Sequence, residues 1–342
     1  MNTKRTKTGS SRMACICLLT MAAMAAAVAR TPVNIVLTTI NGLNSPSGVV
    51  VSPDSSTTYV AQLGSNYLAV IDAATYSVTQ YGLTGLDADN LALSKNGETL
   101  WVSDLADPGY AIGFSTANFQ TTAWLSGSQE PGGLVLSPNG RQLYVASQLD
   151  NKVYVYSTAA SGSLIKSIEV GTAPRGVAFA PNGKRAYVTN RLANTVSVID
   201  VANGTVEGSP ISVDEEPSGI NISPNGKTAY TTNMFSVSVI DLQTNQVTAT
   251  INTDPYNDSN GNGLFSALTP DGKYLYLPLL GVNFGDGSVL VIKTANNTVV
   301  SQFSVGIEPH AIAIAPDGQR AYVTNRGDVT AYGSVSVVGI TE

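Results

Sequence analysis

The chain has 342 residues, with 18 Lys plus Arg, 24 Asp plus Glu and a single His, for a formal charge of −6. An acidic chain that is only 12% charged lacks the clustered cations that drive phosphate binding, so nucleic acid is not an expected partner. At this length, a 43% hydrophobic content is ample for a self-supporting core.

The first segment carries Lys4, Arg5, Lys7 and Arg12 and then runs uncharged through MACICLLTMAAMAAAVA to Ala29. This pattern predicts a secretory signal peptide over residues 1–29, with Ala27 and Ala29 as the small residues before a cut near Arg30. A retained membrane anchor is the alternative, although the run is short for a span of about 20 residues. Both cysteines, Cys15 and Cys17, fall inside this segment, so residues 30–342 contain no thiol and the exported domain is held by its core alone. Its balance is 14 Lys plus Arg against 24 Asp plus Glu. No later stretch is long and apolar enough to span a bilayer.

From there the chain repeats. The turn tetrapeptides SPDS at Ser52, SKNG at Ser94, SPNG at Ser137, APNG at Ala180, SPNG at Ser223, TPDG at Thr269 and APDG at Ala315 recur at spacings of 42, 43, 43, 43, 46 and 46 residues. Each copy reads as four short antiparallel strands, here A to D, rich in Val, Ile, Tyr and Thr and broken by turn residues. In the fourth copy these are GVAFA (A), RAYVT (B), TVSVID (C) and the stretch before the next proline (D). The last copy ends at strand C, whereas VNIVLTTI, residues 33–40, precedes the first strand A. The predicted fold is therefore all-β: a seven-bladed β-propeller whose ring closes when the N-terminal strand completes the seventh blade.

AYVTN followed by SVSVID, with P-[ND]-G turns, resembles the YVTN family of β-propeller repeats, found in exported surface-layer or periplasmic proteins. The resemblance covers essentially all of residues 30–342 and is closest in the fourth, fifth and seventh copies. The first, second and sixth depart, with TYVAQ, LWVSD and LYLPL in its place. It implies a blade and an exported location, periplasmic, cell-surface or secreted, and says little about chemistry.

Loops joining D to the next A, and B to C, gather on one rim around the channel, where function on such scaffolds resides. The residue five before each turn tetrapeptide lies near the channel mouth: Ser47, Asp89, Gly132, Arg175, Ser218, Leu264 and His310. A second ring follows strand B: Gln62, Asp104, Ser147, Asn190, Asn233, Leu279 and Asn325, with Arg191 and Arg326 next in sequence to two of them. Asp89, Arg175, His310, Asp104, Asn190, Arg191, Asn233, Asn325 and Arg326 are thus the candidate contacts for a small polar or anionic ligand held by arginine forks. For the three asparagines a second reading stays open, that the side chain caps its own turn. His310 follows the proline, where the family often writes histidine, so it is a candidate both for catalysis and for a structural hydrogen bond.

A similar fold carries virginiamycin B lyase, whose site resembles a rim histidine working with a metal-bound carboxylate; Glu308 and His310 invite that comparison. DSNGNG from Asp258 to Gly263 opens like a calcium loop, with Asp258, Asn260 and Asn262 as candidate ligands, but Thr269 stands at its twelfth position where the bidentate glutamate belongs. Arg326, Gly327 and Asp328 spell RGD, and Tyr256, Phe265 and Phe284 offer an aromatic wall in the sixth copy. The expectation is a monomeric exported binding module for a small polar ligand, a cell-envelope component or a protein partner. The alternative is a propeller-type lyase or lactone hydrolase that uses His310 with Glu308, Asp89 or Asp104 and a divalent ion, Ca²⁺ or Mg²⁺.

Overall fold

The two copies of RAYVTN, Arg185–Asn190 and Arg320–Asn325, are strand B of blades 4 and 7. In the computed structural model the described residues are 31–341, apart from 84, 107, 160–161, 258–260, 282–284 and 329–331. The expected signal peptide with its cysteines, and with it Asp258, Asn260 and Phe284, lies outside them.

Both faces of each blade are covered, and that explains the hexapeptide. Side chains alternate across a strand, so Ala186 and Val188 enter a core shared with blade 3 while Tyr187 enters one shared with blade 5. Ala321 and Val323 likewise face blade 6, and Tyr322 faces blade 1. Such a strand reads as a nearly continuous apolar run because neither face meets water.

The threonine works differently. Thr189 Oγ1 accepts from the Gly176 N–H of its own strand A at 2.8 Å and donates to the Ser218 carbonyl of blade 5 at 2.6 Å. Thr324 repeats this with the Ala311 N–H at 3.1 Å and the Ser47 carbonyl of blade 1 at 2.7 Å. One hydroxyl thus joins a blade to the next. Thr189→Val, which leaves the buried Gly176 N–H unpaired, is expected to cost about 1–3 kcal/mol in urea unfolding; an unchanged midpoint would remove the hydroxyl from the inter-blade bond.

Seven antiparallel sheets make the ring, each running A to D in order. Seven buried clusters lie one at each blade interface, including that between blades 7 and 1. An open stack of seven blades has one interface fewer, so the count itself requires closure. The closing strand is Val33–Leu43, three residues longer than expected, paired antiparallel with Gly333–Thr341 as the outermost strand of blade 7.

Blade 4 departs from the simple scheme. Its outer strand is split into Thr205–Val206 and Ile211–Ser212, both paired with strand C. Gly208 between them sits at φ +62, and Pro210 has no N–H to offer a ladder. The A to B turns keep a glycine at positive φ in six blades, while blade 1 holds Ser55 there at φ +61. Among the described residues no helix is long and apolar enough to cross a membrane.

Candidate functional site

In five blades the predicted mouth position lies at the start of strand A, and in blades 5 and 6 Ser218 and Leu264 just precede it, where the inner strands crowd. Close approach is allowed by glycine: a Cβ on Gly48 would sit 2.6 Å from the Asp89 carbonyl oxygen, and one on Gly133 would sit 2.5 Å from that of Arg175. Ser47 Oγ donates to the Asp89 carbonyl at 2.8 Å, which fixes blade 2 beside blade 1. The backbone N–H groups of Leu264 and Phe265 both donate to the His310 carbonyl, at 2.9 and 3.3 Å, and fix blade 6 beside blade 7.

The second ring is committed to its own blades. Asn190 Nδ2 donates to the hydroxyls of Thr195 and Ser197, at 3.0 and 2.9 Å, and its Oδ1 accepts from the Gly171 N–H. Asn233 bonds in the same way to Ser236 and Ser238, and Asn325 to Ser334 and Ser336. This explains why the asparagine of AYVTN travels with hydroxyls at alternate positions of SVSV. Asp104 accepts from the N–H of Asp87 at 2.7 Å and of Ala106 at 3.1 Å. Gln62 accepts from the Asn44 N–H, and Ser147 from that of Gln129. Gln62, Asp104, Ser147 and Asn190 thus hold D to A loops, while Asn233 and Asn325 tie strand B to strand C. Asn233→Ala, which strips buried hydroxyls of their donor, is expected to lower stability by about 1–3 kcal/mol, read from the thermal midpoint; a loss below measurement error would free the amide for another role.

Arg191 leaves the channel for the rim, where Nη2 and Nε reach Glu216 Oε2 at 2.6 and 3.1 Å. Both partners are more than a third exposed, so the pair adds little stability. Asn262, from the calcium-like segment, is buried, with its amide donating to the Asn233 and Ser236 carbonyls and its Oδ1 accepting from Thr253. Among the described residues no three His, Cys, Asp or Glu groups converge as a metal set.

Four expected residues do converge. Asp89 is 2% and His310 4% exposed, Arg175 is half-buried, and Arg326 Nη2 stands 3.7 Å from Asp89 Oδ1. Asp89 Oδ1, Arg175 Nε, Arg326 Nε and both imidazole nitrogens are buried without a protein hydrogen-bond partner. The Phe265 ring meets His310 edge-on at a centroid distance of 6.2 Å. Burial raises the Asp89 carboxyl above its ordinary value, and Arg175 and then Arg326 pull against that. Burial also lowers both arginines, but a guanidinium stays charged in a protein. Glu308 accepts the Arg326 backbone N–H through its carbonyl at 2.9 Å and acts electrostatically on that arginine. The imidazole's charged neighbours are the two arginines.

His310 is held well below its ordinary value of 6.5, first by burial and then by Arg326 and Arg175, with a weak opposing pull from the Ser47 main chain. The unfolded chain takes up this proton near pH 6.5 and the folded chain does not. Stability is therefore complete above that pH and falls below it by about 1.4 kcal/mol per unit. His310→Gln should remove this slope between about pH 5 and 7, because the chain has one histidine; equal slopes in the two proteins would contradict it.

Three contributors escaped sequence reasoning: the Glu216 partner of Arg191, the buried Asn90 amide, and Glu130, which acts on both Asp89 and Arg175. A signal for the glutamates existed, since Glu-Pro opens strand A at 130–131, 216–217 and 308–309. All three of these glutamates adopt positive φ, from 49 to 51°.

Comparison with known proteins agrees with the fold. Residues 165–278 match a family model described as "Lactonase, 7-bladed beta-propeller". No curated protein sequence matches the chain. A solved structure described as Kuenenia stuttgartiensis hydrazine synthase superposes with a TM-score of 0.75 at 21% identity, over 86% of this chain and 96% of that one. At that identity the likeness is one of architecture, and together with the closed ring of seven four-stranded blades it makes this chain a seven-bladed β-propeller.

Proposed function

We propose that this protein is an exported binding module that takes a small anionic ligand at the channel mouth. The observation that carries the reading is the group of Asp89, Arg175, His310 and Arg326, in which Asp89 Oδ1, both guanidinium Nε atoms and both imidazole nitrogens are buried without a protein hydrogen-bond partner. Two half-buried guanidiniums beside buried groups attract an anion more strongly than they would at the open surface. The cationic and then uncharged run of residues 1–29 supports export to the periplasm, cell surface or medium.

Isothermal titration of the intact protein with acetate and with inorganic phosphate tests the reading. Arg175→Ala is expected to weaken anion binding by about tenfold or more; unchanged affinity removes Arg175 from the site.

Lactone hydrolysis is the second reading, favoured by the family match over residues 165–278. It requires turnover of a simple lactone that His310→Ala abolishes while the melt is preserved. A divalent ion, if used, would show as loss of turnover with chelator and its return with Ca²⁺ or Mg²⁺.

A further inference from the structure

The unpartnered atoms at the channel mouth are of two kinds, and that mixture restricts what can satisfy them. Arg175 Nε and Arg326 Nε are donors, Asp89 Oδ1 is an acceptor, and a neutral imidazole offers one of each. A bare carboxylate would answer the arginines and leave Asp89 Oδ1 buried without a hydrogen-bond donor. A group that also donates, close to its own carboxylate, answers both.

Charge narrows the choice further. Two guanidiniums stand against one carboxyl, with Arg326 Nη2 3.7 Å from Asp89 Oδ1, so the mouth favours an anion over a net-neutral zwitterion. Beside Asp89, the slot of blade 3 is Gly132, whose ideal Cβ would sit 3.4 Å from the Arg175 carbonyl, so no side chain stands between the Asp89 and Arg175 positions.

Resting on the reading of the site as an anion binder, we infer that the ligand is a 2-hydroxycarboxylate. Its carboxylate lies on Arg175 and Arg326, its hydroxyl donates to Asp89 Oδ1, and the neutral His310 completes the shell. Asp89 is then the residue that reads the hydroxyl.

The test is titration of the intact protein with glycolate, acetate, glycine and inorganic phosphate. A hydrogen bond to a charged group predicts glycolate binding about tenfold or more tighter than acetate. Asp89→Ala is expected to reduce that preference to about twofold or less while retaining acetate binding, because both arginines remain. Asp89→Asn, which keeps the side-chain volume should the alanine variant fold poorly, is expected to give a preference of about threefold. Equal affinity for acetate and glycolate overturns the hydroxy-acid inference and leaves the anion-binding reading standing. Glycine binding as tightly as glycolate overturns it in favour of amino acids, and a glycolate preference that survives Asp89→Ala overturns the assignment of the hydroxyl to Asp89. Absence of binding by all four probes overturns both.

Discussion

Deletion of residues 33–43 unfolds the whole ring, not only the seventh blade. The segment supplies Ile40 and Leu43 to the core between blades 7 and 1 and pairs along Gly333–Thr341. Losing two buried aliphatic side chains costs about 2–5 kcal/mol each, before the unpaired backbone of strand C is counted. The total, about 5–10 kcal/mol, is comparable with the entire stability of an ordinary domain. Calorimetry should show one lost or strongly lowered transition, and a midpoint within a few degrees of the parent would mean that the ring does not depend on this strand.

Gly48→Ala has the next largest expected effect. The new methyl group would lie 2.6 Å from the Asp89 carbonyl oxygen, 2.9 Å from Asn90 Cα and 3.2 Å from the Leu91 nitrogen, all backbone. No rotamer change relieves such a contact, so blade 2 must retreat, at a cost of about 3 kcal/mol. Gly82→Ala is the control: the nearest atom to its Cβ is a Tyr67 ring carbon 3.9 Å away. That change should be neutral or stabilise by up to about 1 kcal/mol. Equal urea midpoints for the two variants would show that the inner strands can spread freely. Because the retreat moves Asp89, Gly48→Ala should also weaken glycolate binding.

Most of the architecture was legible because its determinants are local and repeated. A strand packed on both faces must be apolar through its middle, and the AYV of RAYVTN is; a tight A to B turn needs positive φ, and the glycine of PNG supplies it. Closure was legible from the unmatched strand at each end. The split outer strand of blade 4 was less visible, since Gly208 and Pro210 each have several readings until their pairing partner is known.

The candidate site was legible by position but not by role. Equivalent slots in the repeat place Asp89, Arg175 and His310 on one ring whatever their chemistry. Whether a polar side chain faces the channel or ties down its own loop depends on partners many residues away. Asn190 and Asp104 belong to the second kind: one bonds the hydroxyls of Thr195 and Ser197, the other the N–H of Asp87. Arg191 and Arg326 hold the same place in their repeats, yet one pairs with Glu216 on the rim and the other approaches Asp89. The residue that distinguishes them lies on another blade, which a one-dimensional pattern cannot show.

The seam in blade 7 also sets an order of events. Residues 33–43 leave the ribosome before any blade exists, yet their partner, Gly333–Thr341, is the last strand to be made. Through synthesis and any passage across a membrane this uncharged strand has no mate, and it is the kind of segment that pairs with a neighbouring chain if it waits too long. Its contact spans almost the full sequence, so closure is the slow, late step of folding. Moving the seam by circular permutation, so that the seventh blade is continuous and the cut falls in a D to A loop elsewhere, should speed refolding and leave the channel mouth unchanged.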